Sequence, residues 1–182
     1  MSRTLTTMLR KEGVVNASEC SSIAISDTKM VASGKGANMG AMLHGKFGKI
    51  GVPASYEAWK RSSAVISEWA AIAKQLENAG LPRGTMLACI GFQLAKKHPM
   101  DAKLFFSYLK DGSGLENGDP ILVLRARLLE DRRSTATKMP QVSVAALTVK
   151  AWVAWKQGTP MRQLRYVPFG PAAEKFPSHI VD

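Results

Sequence analysis

From Tyr56 to Leu76 the apolar residues Tyr56, Trp59, Ile66, Trp69, Ala73 and Leu76 recur at steps of three, four and seven, the spacing of one buried stripe on a helix. Gly80 and Pro82 supply the stop, so the stretch predicts one long helix, or two short ones broken near Ser62 and Ser63. Met86, Leu87, Ile90 and Leu94 predict a buried helix that ends before His98-Pro99. Ala102, Phe105, Phe106 and Leu109 predict the next, closed by Asp111-Gly112. The sharpest helix start is Gly118-Asp119-Pro120, because an Asp carboxylate accepts from free backbone N–H groups and proline suits the first helical position. That helix runs through Ile121 to about Arg133. Pro140 to Gln157 is apolar nearly all round, with Val142, Val149, Trp152, Val153 and Trp155, and Gly158 is placed as its cap; such a helix belongs at the centre of the core. Leu164 to Val167 fits a short strand or a last helical turn. Pro168, Pro171 and Pro177 then point to an extended tail pinned by Phe169 and Phe176.

The stretch from Ser33 to Pro53 differs in kind, with six glycines among few large side chains. It predicts a loop or a weak helix pair, and a division into a small N-terminal helical and glycine-rich segment, residues 1–52, and a helical body with a proline-containing tail, residues 53–182. The expected fold is therefore mainly α, a compact multi-helix bundle with a glycine-rich loop and an extended C-terminal tail.

Composition narrows the class. At 182 residues the chain fits one domain, and 46 % hydrophobic against 21 % charged residues is enough to build a core and too apolar for disorder. The longest stretch without a charge, Gly84 to Ala95, is 12 residues, well short of a membrane span, and Met-Ser-Arg-Thr leads into no apolar signal core. Cys20 and Cys89 lie far apart and outside any C-x-x-C pair, which argues against a disulfide framework or cysteine zinc site and for a reducing, cytoplasmic setting. The formal charge is +11, with 25 Lys and Arg against 14 Asp and Glu. Residues 1–80 carry +4 of it and residues 81–182 carry +7, with no run of five like charges, so the excess belongs to the whole fold and not to a basic arm.

Catalytic constellations are hard to find. Gly40-Ala-Met-Leu-His-Gly45-Lys46-Phe47 nearly fits G-x-x-x-x-G-K-[ST], but phenylalanine stands where a hydroxyl must bind Mg²⁺, and no buried strand precedes it. The plainer reading is a mobile basic loop with Lys35, Lys46 and Lys49; such a loop could still touch phosphate through its lysines and glycine N–H groups without hydrolysis. His44, His98 and His179 have no second histidine or carboxylate at ligand spacing, and His98 reads as a capping or surface residue. Cys89 sits in an apolar run and Cys20 beside Glu19, neither a setting that activates a thiol. The loop from Asp111 to Asp119 is acidic and glycine-rich but lacks the spacing of a calcium loop, and a turn with a helix cap accounts for it. The expectation is no catalytic residue, no metal and no cofactor.

The arginines carry more. On the helix from Ile121 the apolar arc of Ile121, Leu124, Leu128 and Leu129 takes in Arg125 and Arg132, while Arg127 and Arg133 point elsewhere. Arg125 is expected to bury its stem and pair with a carboxylate. Arg127, Arg132, Arg133 and Lys138 form either a solvated basic edge or a phosphate-contacting patch. Trp152 and Trp155 are expected in the core and not as platforms for bases.

Three segments carry a family resemblance: Asp119-Pro-Ile-Leu-Val-Leu-Arg-Ala-Arg-Leu, then Ala145-Ala-Leu-Thr-Val-Lys-Ala-Trp-Val-Ala-Trp-Lys-Gln-Gly158, then Leu164-Arg165 with Glu174-Lys-Phe-Pro177. Together with Phe105 to Leu109, the Gly112 to Leu115 loop and Arg3 to Gly13 with Asn16-Ala17, they resemble the C-terminal helical region of uncharacterised phage and plasmid proteins related to ParB. The chain departs from them at Trp152-Val153, where those proteins often have Trp-Asn, and the expectation is that their ParB-like domain is missing, so the resemblance carries over no catalytic residue. It implies a helical module of a mobile element. The expected function is non-catalytic DNA association through a basic face formed by Lys46, Lys49, Arg127, Arg132, Arg133 and Lys138. The alternative is a protein-binding inhibitor, an anti-defence or host-takeover factor, whose basic surface blocks a host nucleic-acid-binding complex or meets an acidic partner.

Overall fold

A computed structural model describes residues 4–28 and 52–177. The glycine-rich near-match to a phosphate loop, Lys35, Lys46, Lys49, His44 and His179 lie outside the described residues. Seven helices and no strand occur among the residues described: α1 Leu5–Lys11, α2 Ala17–Ser26, α3 Val52–Asn78, α4 Gly84–Ala95, α5 Pro99–Asp111, α6 Pro120–Arg133 and α7 Gln141–Lys156. The fold is all-α. None of these helices is long and apolar enough to cross a membrane.

Helix ends follow local chemistry. The Thr4 hydroxyl accepts from Thr7 N at 3.2 Å to start α1, and Asp119 Oδ1 accepts from Ile121 N at 2.7 Å to start α6, with Pro120 in the first helical position. Gly112 ends α5 in the left-handed region at φ 73°, which glycine enters without a Cβ clash. The predicted break in α3 is one kinked residue, Ser62, at φ −137° and ψ 26°, inside an otherwise continuous helix.

α3 is the long spine, with α2 and α4 packed along it; α5 lies on α4, α6 pairs with α7, and α7 reaches back to α4. Trp69 of α3 meets Phe106 of α5 edge to face at 5.3 Å, and Phe105 in turn meets Trp152 and Trp155 of α7 at 5.5 and 5.6 Å, so one aromatic chain links the two halves of the bundle. Leu5, Leu9, Cys20 and Ile23 belong to this same core, so α1 and α2 pack with the elements that follow the glycine-rich stretch. Two helical glycines set how closely α3 and α4 approach. A Cβ on Gly84 would overlap the Ala73 carbonyl, and one on Gly91 would overlap the Trp69 ring.

The region after α7 corrects two expectations. Leu164 to Val167 forms neither strand nor helical turn. Leu164 is nevertheless 4 % exposed, pinned in the core like a helix residue. Phe176 packs against the core, but Phe169 is 71 % exposed and pins nothing.

Candidate functional site

Residues 161–167 cross α6 and α7 as a strap. Met161 N donates to Gly118 O at 2.7 Å, Leu164 anchors the middle, and Lys150 Nζ donates to Arg165 O at 2.8 Å. With Leu164 turned in, Arg162 and Arg165 on either side of it turn out to solvent. Between strap and helices lies an open groove of about 760 Å³. Val123, Ala126, Leu147 and Leu164 give it apolar walls, and Arg127 of α6 with Arg162 and Arg165 of the strap supply three cations. Glu130 is the carboxylate in that lining, and it pairs with Arg127 at 2.7 Å. Such an exposed pair one turn apart on a helix is worth a fraction of a kcal/mol to about 1 kcal/mol, so a phosphate competes with Glu130 easily. Arg162 and Arg165 have no carboxylate within ion-pair distance among the described residues.

Beyond the groove the strap is closed by a clasp around Glu174. Its backbone N donates to Val167 O at 2.8 Å, its Oε1 accepts from Val167 N at 3.2 Å, its carbonyl accepts from Tyr166 Oη at 3.2 Å, and its carboxylate takes the Lys150 ammonium. The Lys150 hydrogen bond holds the Glu174 carboxyl below its ordinary pKa, while burial and then the Glu174 charge push the Tyr166 phenol up.

Of the four arginines and lysines expected on α6 and its exit, only Arg127 lines the groove. Arg132 and Arg133 are exposed on the last turn. Lys138 is turned back onto the helix end, where Nζ donates to the carbonyls of Asp131, Arg132 and Ser134 at 2.8, 2.9 and 2.6 Å. All three of its donors are committed, so it is a cap and not an open phosphate contact. Arg125 also departs from expectation. Among the described residues no carboxylate lies within ion-pair distance; its Nη2 donates to Lys110 O at 3.4 Å, at the end of α5, and its stem lies against Gly112. Sequence reading missed Arg162 and Arg165. The available signal was the in-and-out alternation of Leu164, Arg165, Tyr166 and Val167, which is also how the segment lies.

Among the described residues no cluster of three His, Cys, Asp or Glu is placed to hold a metal. Burial pushes the Cys89 thiol up to about 12 and raises that of Cys20, so neither is an activated nucleophile at neutral pH. Comparisons with protein-family models, curated proteins and solved structures find no match to this chain.

Proposed function

We propose that this chain is a non-catalytic nucleic-acid-associated protein that holds phosphates in the groove between α6, α7 and the strap. The observation that carries the reading is the convergence of Arg127, Arg162 and Arg165 on one concavity whose single carboxylate is already an exposed, weak partner. Guanidinium groups bind phosphate oxygens bidentately, and three of them in a groove with apolar walls make a track for a polyanion. The reading is narrower than a basic face. Cations without a carboxylate partner also stand on α1, α3, α5 and α6, but in the groove two such cations, Arg162 and Arg165, share one lining with Arg127. A role in a phage or plasmid rests on the ParB-related resemblance and belongs to the same proposal.

Titrating labelled duplex and single-stranded DNA from roughly 50 to 200 mM salt tests it. Log affinity should fall with log salt by about 0.9 per phosphate neutralised on a duplex and about 0.7 on a single strand. Each of Arg162→Gln and Arg165→Gln should flatten that slope by nearly one such unit. Absence of binding at the lowest salt removes the proposal.

The inhibitor reading, which rests on the same basic surface, gains a second feature in Met100 at 76 % and Leu104 at 44 % exposure, one turn apart on α5. A stoichiometric protein partner that survives nuclease treatment and is lost in Met100→Lys would favour it over the groove.

A further inference from the structure

We infer that the ligand of the groove is a single strand, with an unstacked base seated on Phe169. This rests on the phosphate-binding reading above and adds to it what lies between the phosphates. Phe169 is two residues beyond Val167, which lines the groove, and at 71 % exposure its ring is open to solvent. A lone exposed apolar residue on a loose loop would mean nothing. This one stands in a turn whose two ends are tied by the Glu174 clasp, and Gly170 at φ 93° lets the chain reverse directly after it. An exposed ring on a tied turn two residues beyond a cationic track is an arrangement that can read a strand's backbone by charge and its bases by stacking.

Tyr166 is a second aromatic at the same groove. Its hydroxyl is fixed on Glu174 O, and Lys150 Nζ stands 5.5 Å over its ring, so it is positioned along the track. In a duplex the faces of the bases are covered by their neighbours, and neither ring has anything to stack on. The helices beside the groove point the same way. α7 is buried along most of its length, and α6 lines the concavity with Val123, Ala126, Arg127 and Glu130, so the cations sit in a recess bounded by the strap and not on a helix face free to fill a major groove. A concave cationic track with Tyr166 in its lining and Phe169 just beyond it in the chain fits a strand whose bases are splayed.

Fluorescence anisotropy with three labelled probes of equal length tests this: a single-stranded oligothymidine, a duplex, and an abasic sugar-phosphate strand, each against the wild type, Phe169→Ala and Phe169→Trp. The single strand should bind tightest. Phe169→Ala should weaken it by roughly 5- to 150-fold, leave the abasic strand and every salt slope unchanged, and be rescued by Phe169→Trp. Equal single-strand affinity for wild type and Phe169→Ala, or preference for the duplex, overturns the stacking proposal; in that case binding of the abasic strand, weakened by Arg165→Gln, leaves the phosphate reading standing. Failure of all three probes to bind at low salt overturns both.

Discussion

Lys138 and Arg125 are cations that bond to backbone, and that separates a basic residue from a basic surface. Lys138 ends α6 by donating to three carbonyls that the helix leaves open, while the Asp131 carboxylate accepts from Met139 N at 2.6 Å, so the two tie the turn between α6 and α7 from both sides. Lys138→Met should lower stability by about 1–2 kcal/mol, read from chemical denaturation, with no change in the salt slope of nucleic-acid binding. A flattened slope would show that the ammonium reaches phosphate after all. Gly91 is the opposite case, important for what it lacks. Because a Cβ there overlaps the buried Trp69 ring, Gly91→Ala should cost about 1–3 kcal/mol, whereas a well-packed helix interior ordinarily gains from that change. Neither role was legible beforehand. A lysine's partner depends on where the preceding helix stops, and a glycine within a helical pattern gives no sign of the ring that faces it.

Whole helices were far more legible, because their signals are local. Caps and stops at Asp119-Pro120, Asp111-Gly112 and Gly80 have a geometric meaning independent of the rest of the fold, and each stands at or just beside a helix end in the structure. Removing one should be felt locally: Asp119→Ala should destabilise by about 1 kcal/mol, with faster amide exchange in the first turn of α6. The strap was legible only in part. Alternation at Leu164 to Val167 marks extended chain, but where it lies is set by Leu164 in the core, Met161 on Gly118 and Lys150 on Arg165, all partners distant in sequence. Its clasp has a pH signature with a definite sign. The Glu174 carboxyl lies below its ordinary value near 4.5 because of Lys150, so its contribution is fully present above that value and is lost as pH falls through the depressed one. Protection of the Val167 and Glu174 amides, taken as exchange relative to the intrinsic rate at each pH, should therefore be high at neutral pH and fall on acidification below about 4.5, and Glu174→Gln should abolish that loss. Protection that stays constant with pH in the unaltered chain would remove the clasp.

At the scale of the molecule, charge is the property that composition announced and the fold distributes. Among the described residues, 20 Lys and Arg face 13 Asp and Glu, a net charge of +7. Seven of those cations pair with carboxylates, and Arg83, Arg125 and Lys138 bond to carbonyls. What is left over is spread across several elements, with Arg162 and Arg165 joining Arg127 at the groove. The sequence contained the surplus and pointed to Arg127, but its two companions lie some 35 residues further along and meet it only because the strap folds back over α6. Replacing all three should matter more than replacing any other three cations of equal charge. The most direct measurement is the salt dependence of single-strand binding by the unaltered chain and by the triple variant Arg127→Gln, Arg162→Gln, Arg165→Gln. The account predicts a steep negative slope that the triple variant flattens by about two units, at unchanged helicity. An identical slope in both chains, or no binding by either at low salt, would contradict it.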